Sequence, residues 1–360
     1  MSKRLVICCD GTWNIPDQSS DGKASPTNVT KLALAVAPED DAGVEQRMFY
    51  HRGVGTSRRE HIMGGGFGYG LSKNVRDSYR FIVENYEPGD ELFFFGFSRG
   101  AYTARSTAGF VRNCGILRSS YADRIDEAYA LYRDRTAHPR GTEARLFRRS
   151  YSYETRIRFI GVWDTVGALG IPVTGLGWVN WFNRRWQFHD TDLSTTVDAA
   201  FQALAIDEKR APFQPAVWKQ QPDAGNQRLE QVWLAGVHCD VGGGYPDTGL
   251  SDIGLHWMVD RAGSCGLAFL KDAFVPPPAA GAGDAASTST IVKADAMGAL
   301  HESRKSFYKL QGPYHRPIGE KDPAHEYVGS SVVVRREKDP GYAPPALVTY
   351  LAGQPQTLAV

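Results

Sequence analysis

With 360 residues, 42% of them hydrophobic and 22% charged, the chain has the composition of a soluble globular protein and enough length for one large domain or two ordinary ones. A formal net charge of +1 leaves no basic stripe for nucleic acid and no acidic tail, so charge names no partner. Five cysteines, two of them adjacent in an apolar run, do not make a disulfide framework and read as reduced thiols, which implies synthesis in the cytoplasm. The short apolar run after Met1-Ser-Lys-Arg4 ends in a charge without a small-residue cleavage site. Neither a Sec signal nor a transmembrane segment is expected; export by a machine that reads no signal peptide stays open.

In chain order, Leu5 to Cys9 reads as a strand broken by Asp10-Gly11-Thr12-Trp13-Asn14, and Asn28 as the N-cap of a helix carrying Val29, Leu32, Leu34 and Val36. Gln46 to Tyr50 reads as a second strand, which gives a βαβ rhythm. Gly64 to Gly70 fits a surface loop as well as a phosphate-cradling or lid segment. It lacks the Lys-Ser/Thr ending of a P-loop and follows no strand, which disfavours a nucleotide site. Leu71 to Tyr86 has helical spacing. Pro88-Gly89-Asp90 then turns the chain into Glu91 to Phe97, an apolar run that reads as a buried strand, and a helix with small residues follows over Ala101 to Val111. Tyr121 to Arg135 reads as an amphipathic helix, Thr155 to Trp163 and Leu229 to Val237 as strands, and Thr195 to Ile206 and Ser251 to Ala262 as helices. The whole is expected to be a single α/β domain over 1–360. It carries an aromatic-rich insertion at 167–192, a flexible loop at 276–290 and a C-terminal extension over 291–360 containing short strands.

Between strand and helix stands Gly96-Phe-Ser98-Arg-Gly100, the sequence form of a nucleophile elbow, in which flanking glycines let strand and helix crowd together and leave a serine hydroxyl exposed. Ser98 is the candidate nucleophile, set against a plain N-cap role. Asp164 and His238 stand at the ends of two later strands, and parallel strands bring such ends to one edge of a sheet. A serine needs a neutral imidazole to take its proton, and the imidazole needs a carboxylate to fix its tautomer, so Ser98, Asp164 and His238 form the candidate triad. His301 and His325 remain open as alternative bases. The backbone N–H of Arg99 is one candidate oxyanion donor; Gly11 or Thr12, after the first strand, is the other. Trp178, Trp181 and Phe182 in the insertion are candidates for an apolar substrate wall. No cofactor is called for. A metal hydrolase built on Asp10, Asp164, His238 and Asp240 is an alternative without paired-ligand spacing, and a non-catalytic binding protein that keeps the fold is another.

Six ordered blocks then acquire meaning together: Cys9-Asp-Gly-Thr-Trp-Asn14, Tyr50-His-Arg-Gly-Val-Gly-Thr56, Gly96-Phe-Ser-Arg-Gly-Ala101, Val162-Trp-Asp-Thr-Val-Gly167, His238-Cys-Asp-Val-Gly-Gly-Gly-Tyr245 and Leu250-Ser-Asp-Ile-Gly-Leu-His-Trp-Met258. Over residues 4 to 336 the chain resembles a bacterial family of α/β-hydrolase-like domains that includes the GxSxG phospholipase effectors of type VI secretion systems. The resemblance implies an α/β-hydrolase fold, a mainly parallel sheet flanked by helices, and esterase or lipase chemistry on Ser98. As partners it implies an ester or lipid substrate with peripheral contact to membrane lipid and, for an effector, an immunity or secretion protein. Nucleic acid is not among them.

Overall fold

The computed structural model describes residues 2–11, 19–20, 23–53, 66–134, 136–166, 192–274, 292–305, 308–309 and 312–360. Eight strands form one sheet: β1 (Arg4–Cys9), β2 (Gln46–His51), β3 (Glu91–Phe97), β4 (Ile157–Trp163), β5 (Val197–Ala205), β6 (Arg228–Leu234), β7 (Glu326–Gly329) and β8 (Thr357–Leu358). Their spatial order is β2-β1-β3-β4-β5-β6-β7-β8, and every neighbouring pair runs parallel. The inner strands are apolar along nearly their whole length because both faces are covered, as in Glu91-Leu-Phe-Phe-Phe-Gly-Phe97. The edge strand β2 instead leaves Arg47 and Met48 exposed, and a charge on an open edge discourages pairing with another chain.

Alternate side chains of each strand enter two cores. Val6, Cys8, Phe93, Phe95 and Phe159 pack with α1 (Asn28–Ala35) and α7 (Gly249–Ser264), whereas Leu5, Ile7, Cys9, Leu92 and Phe94 pack with α2 (Gly66–Asn85) and α3 (Arg99–Cys114). The remaining helices are α4 (Ile125–Arg133), α5 (Thr142–Tyr151), the short α6 (His238–Gly242), α8 (Ser330–Lys338) and α9 (Pro345–Leu351). A parallel sheet covered on both faces, with helices in most of its described crossovers, is an α/β-hydrolase-like architecture, as the resemblance implies.

Several local expectations need correction. Thr195 to Ile206 reads as a helix, yet Val197–Ala205 is the buried strand β5 between β4 and β6. Its alanines favour a helix locally, but two flanking strands satisfy its backbone and burial on both faces demands small side chains. The N-cap of α1 is Thr27, whose hydroxyl accepts from Thr30 N–H; Asn28 is the first helical residue and ties α1 to Val241 O and Ser251 O at 2.9 and 2.8 Å. Residues 66–70 of the glycine-rich stretch belong to α2. Tyr121 falls in a 3₁₀ turn (Ser119–Arg124) that precedes α4. His238 does not end a strand: three residues separate it from β6, and it opens α6.

Candidate active site

Strand register brings the candidate residues to the carboxyl edge of the sheet. Cys9 pairs with Gly96 and Phe97 with Trp163, so Asp10, Ser98 and Asp164 leave three adjacent strands at nearly the same level. Ser98 N–H donates to Trp163 O at 3.0 Å, and Asp164 N–H to Ala203 O at 2.7 Å. The glycines around Ser98 have a steric reason. A Cβ on Gly96 would stand 2.6 Å from Ala101 Cα, and one on Gly100 would overlap the carbonyl oxygens of Cys9 and Asp10. Strand β3 and helix α3 therefore meet in a turn that holds Ser98 at φ 58°, ψ −121°. Its side chain makes no capping hydrogen bond, so the plain N-cap role is not the one it plays.

Asp164 is fully buried and accepts four hydrogen bonds: Ala205 N–H at 3.0 Å, His238 Nδ1 at 2.5 Å, and both terminal nitrogens of Arg316 at 2.6 and 2.9 Å. An ionised carboxylate only accepts, so His238 Nδ1 carries the proton and Nε2 is left as the basic nitrogen. Burial pushes the Asp164 carboxyl up, but Arg316 and His238 outweigh it and hold the group well below the usual carboxylate range. Burial likewise pushes the His238 imidazole down, and the opposing pull of Asp164 does not restore it to its ordinary value. The imidazole is thus neutral in neutral solution. Its ring lies on Phe97, the residue before Ser98, with centroids 4.6 Å apart, and against the edge of Phe213 at 5.0 Å.

The competing histidines have other partners. His301 Nδ1 bonds Asp240 Oδ1 at 2.6 Å beneath the stacked ring of Tyr245. His325 bonds Asp322 at 3.0 Å and immediately precedes β7, which puts it at the amino edge of a parallel sheet, opposite the candidate site. Among the described residues no group of three or more His, Cys, Asp or Glu side chains is suited to a metal, and Asp10 and Asp240 are engaged elsewhere. Asp10 accepts from Thr27, Thr30 and Tyr50 hydroxyls at 2.7, 2.9 and 2.6 Å. It also takes Gly11 N–H at 2.6 Å, so this candidate oxyanion donor is already occupied. Arg99 is the first residue of α3, so its N–H stands at the positive end of the helix dipole. Thr12, Trp178, Trp181 and Phe182 lie outside the described residues.

Sequence reading missed Arg316 and Glu208. Glu208 is fully buried, clasps Arg210 through two bonds of 2.8 Å, and faces the N–H of His238 at 3.4 Å. Arg210 in turn lies over Phe213, 3.5 Å from its ring centroid. No local pattern marks these residues; only the folded chain brings them to the sheet edge.

A parallel sheet that carries an elbow serine and an Asp–His pair at its carboxyl edge defines an α/β-hydrolase-like protein. The chain belongs to the family described as T6SS phospholipase effector Tle1-like, catalytic domain, which matches residues 3–261. It is similar to the uncharacterized protein YEL023C of Saccharomyces cerevisiae, 26% identical over 244 residues, a stretch that is 61% of this chain and 33% of that protein. Among solved structures it is similar to an uncharacterized protein from Pseudomonas aeruginosa (19% identity, TM-score 0.45, 74% of this chain and 46% of the other). Another is the Tle1 effector bound to the VgrG spike of the type 6 secretion system (19% identity, TM-score 0.39, 68% and 52%). The chain therefore spans a third of the curated relative and about half of each solved chain. Among the described residues no helix is long and apolar enough to cross a membrane.

Proposed function

We propose that the protein is a serine esterase of the phospholipase kind, which cleaves carboxylic esters through an acyl-enzyme on Ser98. The observation that carries this reading is the 2.5 Å contact between His238 Nδ1 and Asp164, at the same edge of the sheet as an elbow serine with a positive φ. In the proposed reaction His238 Nε2 takes the Ser98 hydroxyl proton as Oγ attacks the ester carbonyl carbon, and negative charge develops on the carbonyl oxygen. Arg99 N–H, aided by the positive end of the α3 dipole, meets that charge. With Gly11 N–H held by Asp10, the second donor assigned in this reading is Thr12. The imidazolium then protonates the leaving alkoxide, and the same base activates water to free the acid. Family membership supports a phospholipid as the ester, peripheral contact with a lipid surface, and delivery by a secretion machine with an immunity partner.

A fluorophosphonate probe tests the chemistry: wild-type protein should label, and Ser98→Ala should not. No labelling of the wild type, or equal labelling of Ser98→Ala, ends the serine-hydrolase reading and leaves a binding protein on a hydrolase fold. Hydrolysis of p-nitrophenyl esters of increasing chain length and of phosphatidylglycerol vesicles tests the substrate. A preference for short soluble esters over vesicles removes the lipid from the proposal.

A further inference from the structure

We propose that Arg316 is a positioning residue of the triad, which locks the plane of the Asp164 carboxylate and keeps His238 unprotonated so that it can act as a base in mildly acidic solution. The inference rests on the serine-hydrolase reading above. Arg316 comes from the extension beyond the family-matched residues 3–261, and its side chain is completely buried. Its guanidinium spans both carboxylate oxygens, at 2.6 Å to Oδ1 and 2.9 Å to Oδ2. Two backbone carbonyls, Ala205 O at 2.9 Å and Phe213 O at 2.5 Å, fix the guanidinium itself. A planar fork held at four points allows the carboxylate one orientation, which is the one that presents Oδ2 to His238 Nδ1.

The sharing of Oδ2 distinguishes this arrangement from a buried ion pair that only stabilises the fold. That oxygen receives Arg316 and His238 together, so the charge that would draw a proton onto the imidazole is already met by a permanent cation. The other charged groups facing His238 are Glu208, which favours its protonation, and Arg210, which opposes it. Those two are clasped to each other, whereas Asp164 is shared between the arginine and the imidazole.

The test follows fluorophosphonate inactivation of the full chain against pH, with separate measurement of probe affinity and inactivation rate, and a thermal melt to check the fold of each variant. Arg316→Gln leaves Asp164 uncompensated, so His238 holds its proton more tightly and the midpoint of the acidic limb should rise by about one pH unit or more. Arg316→Lys keeps the charge but loses the fork, so the midpoint should stay while the maximal inactivation rate falls about tenfold at unchanged probe affinity. An unmoved midpoint in a folded Arg316→Gln overturns the proposal. Should Arg316→Gln not fold, a folded Arg316→Lys that inactivates at the wild-type rate overturns it alone. A wild type that never labels defeats the serine-hydrolase reading itself, an outcome distinct from both.

Discussion

Ser98 and Asp164, at φ 58° and 40°, are the two non-glycine residues with positive φ among the described residues, and they leave neighbouring strands β3 and β4. Such backbone is unfavourable for an L-residue and persists where surrounding contacts over-determine it, which places local strain at the candidate site rather than in the surface turns. The Asp–His pair also makes acid a specific threat. His238 has its folded-state pKa below the ordinary 6.5, so as pH falls through that value the unfolded chain takes up the proton first and stability drops. Asp164, also lowered, contributes stability that is full above about pH 4 and lost only as pH falls towards its folded-state value, so it does not act in the same window. Urea midpoints at pH 7 and pH 5 should therefore lie closer together in His238→Gln than in wild type; an unchanged gap shows that His238 is not buried as a neutral base. For Asp164→Asn, the neutral amide leaves Arg316 unpaired and can present its NH₂ to Nδ1, which favours the wrong imidazole tautomer. Fluorophosphonate labelling should slow by about a thousandfold or more, measured on protein shown by circular dichroism to be folded.

Helix α3 is held against the carboxyl end of β1 so closely that Gly100 has no room for a methyl group, and the atoms in the way are backbone oxygens of Cys9 and Asp10. Backbone cannot swing aside as a side chain can, so Gly100→Ala should destabilise by about 3 kcal/mol or more. Gly263, in the last turn of α7, is exposed, and a methyl group added there would meet nothing within 4 Å. Gly263→Ala should therefore stabilise by about 0.5–1 kcal/mol. Thermal melts of both variants separate the contact explanation from a general intolerance to losing glycine, since the latter predicts the same sign for each. The elbow was legible because these constraints are local: a strand, a turn and a helix within one stretch must carry glycine where they touch. Strands β1, β3, β4 and β6 were legible through their apolar runs for a similar reason, and the edge strand β2 through its place in the βαβ rhythm. Strand β5 was not, because Asp198-Ala-Ala-Phe-Gln-Ala-Leu-Ala205 is helix-compatible taken alone and becomes a strand through the company of β4 and β6. Asp164 and His238 could be placed at the sheet edge from chain order, but their choice of each other, and the diversion of His301 to Asp240, are tertiary facts.

One core runs through both ends of the chain: Val6 and Phe93 belong to the same buried cluster as Ile318, Val328, Val332, Tyr342 and Leu347. The extension, which by sequence reads as a tail of short strands, thus completes the sheet through β7 against β6 and β8 against β7. It also supplies Arg316, and it carries Glu326, whose fully buried carboxylate accepts the Trp233 indole N–H at 3.0 Å. Nothing local announces these roles, since Tyr314-His-Arg-Pro317 is a polar segment that finds Asp164 only across the fold. Removing residues 312–360 would open the β6 edge, uncover Val232 and Trp233, and leave Asp164 without its guanidinium. Loss of soluble, probe-labelled protein is the expected result. Removing only 353–360 deletes the two-residue strand β8 and the contacts of Val360 with Ser330, which lie far along the sheet from Ser98. That shorter deletion should lower the melting temperature and leave the labelling rate constant as it was. If the 1–311 chain folds and labels like the full protein, residues 312–360 are an accessory to the hydrolase; if even the shorter deletion abolishes labelling, the dependence on the extension runs through more than Arg316 and the β6 edge.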